Sequence, residues 1–123
     1  MRTVIFNQGF NRVEHHQIIC LERAKLNRFL DEERRCIETL IASIRREIEI
    51  KQQILPNFEV IWNKIQNHDL VRNVRRRVDC LTSAYPQFLP QVEGFRARLF
   101  EKAVAAVEAA RSAMQQASRF VIN

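Results

Sequence analysis

The sequence predicts an all-α protein, an elongated antiparallel three-helix hairpin or bundle with coiled-coil character, and three observations carry that expectation. Glycine is nearly absent: Gly9 and Gly94 stand alone among 123 residues, with three prolines, Pro56, Pro86 and Pro90. Sheet proteins draw their turns from such residues, so a chain this poor in them has few turns to make. Apolar residues recur at spacings of three and four over long stretches, the period of one helical face. The prolines then divide the chain into pieces of helical length, because proline lacks the N–H and disfavours helical geometry in the residue before it. A composition of 46% hydrophobic and 28% charged residues suits a folded globular chain. At this length one core is expected, so residues 1–123 are read as a single helical domain.

The elements follow in order. Residues 1–9, MRTVIFNQG, form a short apolar arm around Val4, Ile5 and Phe6, closed by Gly9. A first helix is expected over about 10–55, where neither proline nor glycine occurs after Gly9. Ile19, Leu26, Phe29, Leu30, Ile37, Leu40, Ile41, Ile44, Ile48 and Leu55 lay one apolar stripe along it. Within this helix DEERR, residues 31–35, has no apolar member. Continuity is expected there, with a break near Asp31 as the alternative, since its carboxylate suits a helix cap. Asp31, Glu32 and Glu33 beside Arg34 and Arg35 read as surface ion pairs.

Pro56 ends the first helix and Asn57 caps a second, expected over 57–85. Phe58, Ile61, Trp62 and Ile65 lead into Val71, Val74, Val78, Leu81 and Tyr85, with Trp62 as a core anchor. Pro86 and Pro90 bracket a stiff linker. The third helix, about 91–121, carries Ala103, Ala106, Ala110, Ala113 and Ala117 at steps of three and four. Small residues in such a seam permit close helix approach.

Several function classes are disfavoured. Three cysteines, Cys20, Cys36 and Cys80, cannot all pair within one chain, and no basic leader joined to an apolar run is evident. A reducing, intracellular, cytoplasmic setting is expected. No apolar run approaches the roughly 20 residues of a membrane span, so a membrane role is not expected. His15, His16 and Cys20 invite a metal reading, but Cys36, His68 and Cys80 lie far off without paired spacing, and a structural zinc needs about four ligands. No glycine-rich turn or phosphate loop supplies catalytic geometry. No enzyme, no metal and no cofactor is expected.

The formal net charge is +6, and 16 of the 20 cationic residues are arginine. Excess positive charge favours acidic partners. It is spread evenly: residues 1–55 hold 10 basic and 8 acidic groups, 56–90 hold 5 and 3, and 91–123 hold 5 and 3, so each part is +2. The densest cluster is VRNVRRRVDC, residues 71–80. With Val71, Val74, Val78 and Leu81 on the core face, helical geometry turns Arg72 and Arg76 to solvent and sets Arg75 and Arg77 at the core's two edges. Asp79 is spaced to pair with Arg75.

Two functional expectations result. The leading one is a non-catalytic assembly or adaptor protein that forms a homodimer or joins a hetero-complex through its helices. The first helix outreaches the other two, and its stripe needs cover; Ile37, Ile44 and Ile48 and the alanine seam are the candidate interface. The alternative is a nucleic-acid binder. Arg72, Arg75 and Arg76 would meet the phosphates of double-stranded RNA, extended by Arg45, Arg46 and Lys51, or by Arg96 and Lys102. That mode resembles, in architecture, the viral suppressors of RNA silencing that lay long helical hairpins along a duplex.

Overall fold

The computed structural model describes the backbone of residues 2–51 and 56–122 and the side chains of residues 12–47 and 56–116. The protein is all-α there: α1 (Arg2–Lys51), α2 (Phe58–Asn67), α3 (Asp69–Ala84), a 3-10 turn (Pro86–Phe88) and α4 (Leu89–Ile122).

α1 is one helix of 50 residues, about 75 Å long at ~1.5 Å per residue. Residues 2–9 are therefore its first turns and not a separate arm. A single internal glycine such as Gly9 costs about 1 kcal/mol against alanine, too little to stop a helix of this length. Nor does α1 break at Asp31. That carboxylate accepts from Arg34 and pairs with Arg35 at 3.0 Å, contacts at i+3 and i+4 that support an uninterrupted helix.

The expected second helix is two helices. His68 takes an extended conformation (φ −65°, ψ 136°), ending α2, and its ring nitrogen Nδ1 accepts from the Leu70 N–H at 3.2 Å, starting α3. Asn57 caps α2 as expected, its side-chain oxygen accepting from the Glu59 N–H. The expected linker is also more regular than its prolines suggest. Pro86 opens the 3-10 turn, and α4 begins at Leu89, with Pro90 in the first turn, where a missing N–H leaves no hydrogen bond unmade.

Between α1 and α3 the contacts run in opposite numerical order, Glu32 to Arg77 and Glu33 to Arg75. Between α1 and α4 they run in the same order, Asn27 to Gln91 and Glu33 to Arg96. α1 and α4 are thus parallel, with α3 antiparallel to both. α3 and α4 approach α1 more closely than they approach each other, so α1 is the spine of the bundle.

The core has two apolar layers along that spine. One gathers Leu26 and Leu30 of α1, Val78 and Leu81 of α3, Phe88 of the turn and Val92 of α4. The other gathers Ile37 and Ile41, Ile61 and Ile65 of α2, Val71, and Leu99, Ala103 and Val107 of α4. Trp62 is half-buried at the edge of the second layer, in a ring cluster with Phe58 and Phe100 at centroid distances of 5.3–5.9 Å.

The turn between α3 and α4 lies level with Arg23, whose guanidinium stands 5.4 Å from the Phe88 ring centroid. One turn earlier Ile19 still packs against the first layer, and residues 12–18 before it are exposed. At the opposite end Arg111 donates to the Pro56 carbonyl at 3.3 Å, and α4 continues past it to Ile122.

Candidate functional site

Between the two apolar layers α1 presents Glu33, which is 0% exposed. It sits three residues after Leu30 and four before Ile37, on the stripe that faces the other helices. A carboxylate cannot be buried at tolerable cost without a paired, hydrogen-bonded charge. Arg96 of α4 supplies one as a fork: Nε donates to Oε2 at 3.2 Å and Nη2 to Oε1 at 3.1 Å. Arg75 of α3 adds its Nε at 3.7 Å from Oε1, an ion pair too long for a hydrogen bond. Arg96 Nη1 also lies 3.6 Å from Asp79. One acid thus ties three helices together through two arginines.

This layer divides the arginine cluster. Arg75 is turned inward, and its burial pulls the guanidinium below the usual arginine value, while the nearby Glu33 and Asp79 carboxylates pull it up and Arg96 adds to the lowering. Its Nε has no hydrogen-bond partner among the described residues. Arg77 pairs with Glu32 at 2.9 Å and lies 5.4 Å from the Phe29 ring centroid. Asp79, expected to pair with Arg75, has Arg96 as its ion-pair partner. Arg72 and Arg76 are exposed, and neither has an ion-pair partner among the described residues. With Arg75, Asp79, Cys80 and Ser83 they line an open concavity of about 600 Å³ on α3.

The remaining expected phosphate contacts are dispersed. Arg96 is committed to Glu33. Arg45 lines a separate groove of about 260 Å³ between α1 and α4, with Lys102 on its rim and Ile41, Leu99, Ala103 and Ala106 in it. Arg46 is exposed on α1, and the side chain of Lys51 lies outside the described residues. Arg45 and Lys102 therefore line a different concavity from Arg72, Arg75 and Arg76.

No family model, curated protein or solved structure matches this chain.

The residues expected to meet another chain are mostly occupied by this one. Ile37, Ala103 and Ala110 are buried within the bundle, and Ile44 and Ala106 are half-buried against it. Ala113 is exposed, and the side chains of Ile48 and Ala117 lie outside the described residues. The alanine seam is thus covered from within as far as Ala110.

What the core leaves uncovered lies elsewhere on α1. Residues 12–18 are all exposed, and Val13, Ile18 (46%) and Leu21 (70%) are among the exposed large hydrophobics. Two features therefore escaped the sequence reading. Glu33 left a trace, since its spacing continues the apolar stripe through DEERR. Ile18 and Leu21 left one too, since they sit three residues apart and off the line of Ile19, Leu26 and Leu30.

DEERR itself is a mixed case. Asp31, Arg34, Arg35 and Glu38 do form surface pairs. Hydrogen bonding to Arg34 holds the Asp31 carboxyl below its ordinary value, and the same contact raises the Arg34 guanidinium. Among the described residues no three His, Cys, Asp or Glu side chains gather as a metal site requires. No helix among them is long and apolar enough to cross a membrane.

Proposed function

We propose that this protein is a non-catalytic assembly subunit that associates through the early part of α1. The carrying observation is that early part, where residues 12–18 are all exposed and Ile18 and Leu21 stand outside the core. A helix of two faces is stabilised mainly by packing, and one without neighbours over several turns lacks that contribution. Exposed apolar side chains grouped on such a segment are a contact surface. The interior supports a structural role as well: its charged groups are spent on joining helices, not on a shaped cavity.

Sedimentation equilibrium at micromolar concentration tests this proposal. Self-association, with a mass above the 14.6 kDa of one chain, is the expected result. A strict monomer that also captures no partner helix would remove it. Binding to double-stranded RNA is the weaker reading, because of the three expected ridge arginines only Arg72 and Arg76 lack an ion-pair partner among the described residues.

A further inference from the structure

Four residues of the early part of α1, Glu14, Ile18, Leu21 and Lys25, follow one another at steps of four, three and four. On a helix advancing about 100° per residue they fall within roughly 60° of arc. That line is about a third of a turn from the stripe of Ile19, Leu26 and Leu30 that enters the core. All four are exposed. Glu14 has no ion-pair partner among the described residues, and Lys25 has only the face of Phe29, 5.9 Å from the ring centroid.

The order of these four is symmetric in position and opposite in charge about its centre. Counting outward from the midpoint between Ile19 and Cys20, Ile18 and Leu21 are equidistant from it, and so are Glu14 and Lys25. We propose that this line is the contact of a two-fold dimer in which α1 of one copy lies antiparallel to α1 of a second copy. Ile18 of each copy then meets Leu21 of the other, and Glu14 of each meets Lys25 of the other. Two apolar pairs sit at the centre, and an acid–base pair closes each end.

The charges select this arrangement. Parallel pairing of the same line sets Glu14 against Glu14 and Lys25 against Lys25, two like-charge contacts in place of two opposite ones. Coiled-coil pairs choose orientation by this rule. An isologous contact also uses itself up, so assembly stops at two copies, about 29 kDa for chains of 14.6 kDa. The inference rests on the assembly function proposed above and adds the surface, the partner and the symmetry.

A charge exchange in the full chain, read by sedimentation equilibrium at low ionic strength where such pairs are least screened, tests it. Glu14→Lys places lysine at both positions of the line, and Lys25→Glu places glutamate at both. Each variant alone should dissociate about tenfold or more readily than the parent, since both end pairs turn repulsive. An equimolar mixture of the two should recover a dimer, one copy of each, because every end then joins an acid to a base. The double variant Glu14→Lys/Lys25→Glu should recover the parental mass. Both positions are exposed, and the far-ultraviolet circular dichroism of each variant should match the parent, which separates lost contact from lost fold. A parent that dimerises while both single variants dimerise equally well would overturn this contact and leave the assembly function standing. A mixture that stays monomeric beside a dimeric parent would overturn the antiparallel register. A monomeric parent would overturn this dimer, and the assembly function falls with it where the chain captures no partner helix either.

Discussion

A carboxylate on the inward line of α1, with Leu30 three residues before it and Ile37 four after, has to keep its charge without water. Glu33 does so through the guanidinium fork of Arg96 and the more distant Arg75. The value of such a cluster is asymmetric. Removing one partner strands a buried charge and costs about 3–5 kcal/mol, whereas replacing the whole set by apolar groups of similar volume is often neutral or stabilising. Arg96→Met keeps bulk beside Glu33 but removes both hydrogen bonds, so urea unfolding should show a loss in that range. Arg72→Met, at an exposed position without an ion-pair partner among the described residues, should stay within about 0.5 kcal/mol of the parent. Combining Glu33→Leu, Arg75→Met and Arg96→Met should return most of what Arg96→Met alone removes. Equal stability of parent and Arg96→Met would mean that Glu33 is not held as an ion by that fork. The cluster also limits register, since sliding α4 by one turn along α1 would leave Glu33 facing apolar side chains.

At the scale of elements, the helices were readable where a breaker or its absence decides the outcome. α1 is continuous because between Gly9 and Lys51 nothing removes a hydrogen bond, and Pro56 lies before α2 because nothing helical tolerates it there. The division at His68 was harder to see. Ile65 and Val71 are six residues apart, one short of a full two-turn repeat, and that single missing step is the trace of a non-helical residue between them. Histidine is not a habitual breaker; its ring caps the next helix through Nδ1, which local propensity does not display. The alanine seam of α4 was readable as a seam but not as a partner surface, since periodicity does not say which chain covers it. Ala110 is buried and Ala113 exposed, so the two should respond differently to added bulk. Ala110→Leu should overpack its contact and cost about 1–3 kcal/mol, lowering the melting temperature by several degrees. Ala113→Leu should leave it close to the parent. If the order is reversed in a thermal melt, the bundle face of α4 is rotated from the one described.

Over the whole molecule, charge is what a sequence sums and a fold redistributes. The excess of +6 suits an acidic partner, and VRNVRRRVDC concentrates four arginines, yet packing withdraws Arg75 toward Glu33 and Arg77 onto Glu32. Arg72 and Arg76, exposed on α3, are the two guanidiniums of the cluster without an ion-pair partner among the described residues. Phosphate binding is read in its salt dependence, because each neutralised phosphate releases condensed counterions, with a log–log slope of about −0.9 per contact on duplex DNA. Replacing Arg72 and Arg76 by glutamine should therefore change the slope for a short RNA duplex by at most about 2, and Arg75→Gln should add nothing to it, since that side chain is already engaged. Arg75→Gln should instead lower stability, as a partner of buried Glu33. If the protein acts by assembly, the parent's RNA binding should fade near physiological salt, while the Arg72→Gln/Arg76→Gln variant keeps the parental oligomeric mass. Sedimentation and a duplex titration on the same samples separate the two outcomes. Tight duplex binding at about 150 mM salt, lost in that folded double variant, would make the α3 surface the functional one and the early part of α1 its support.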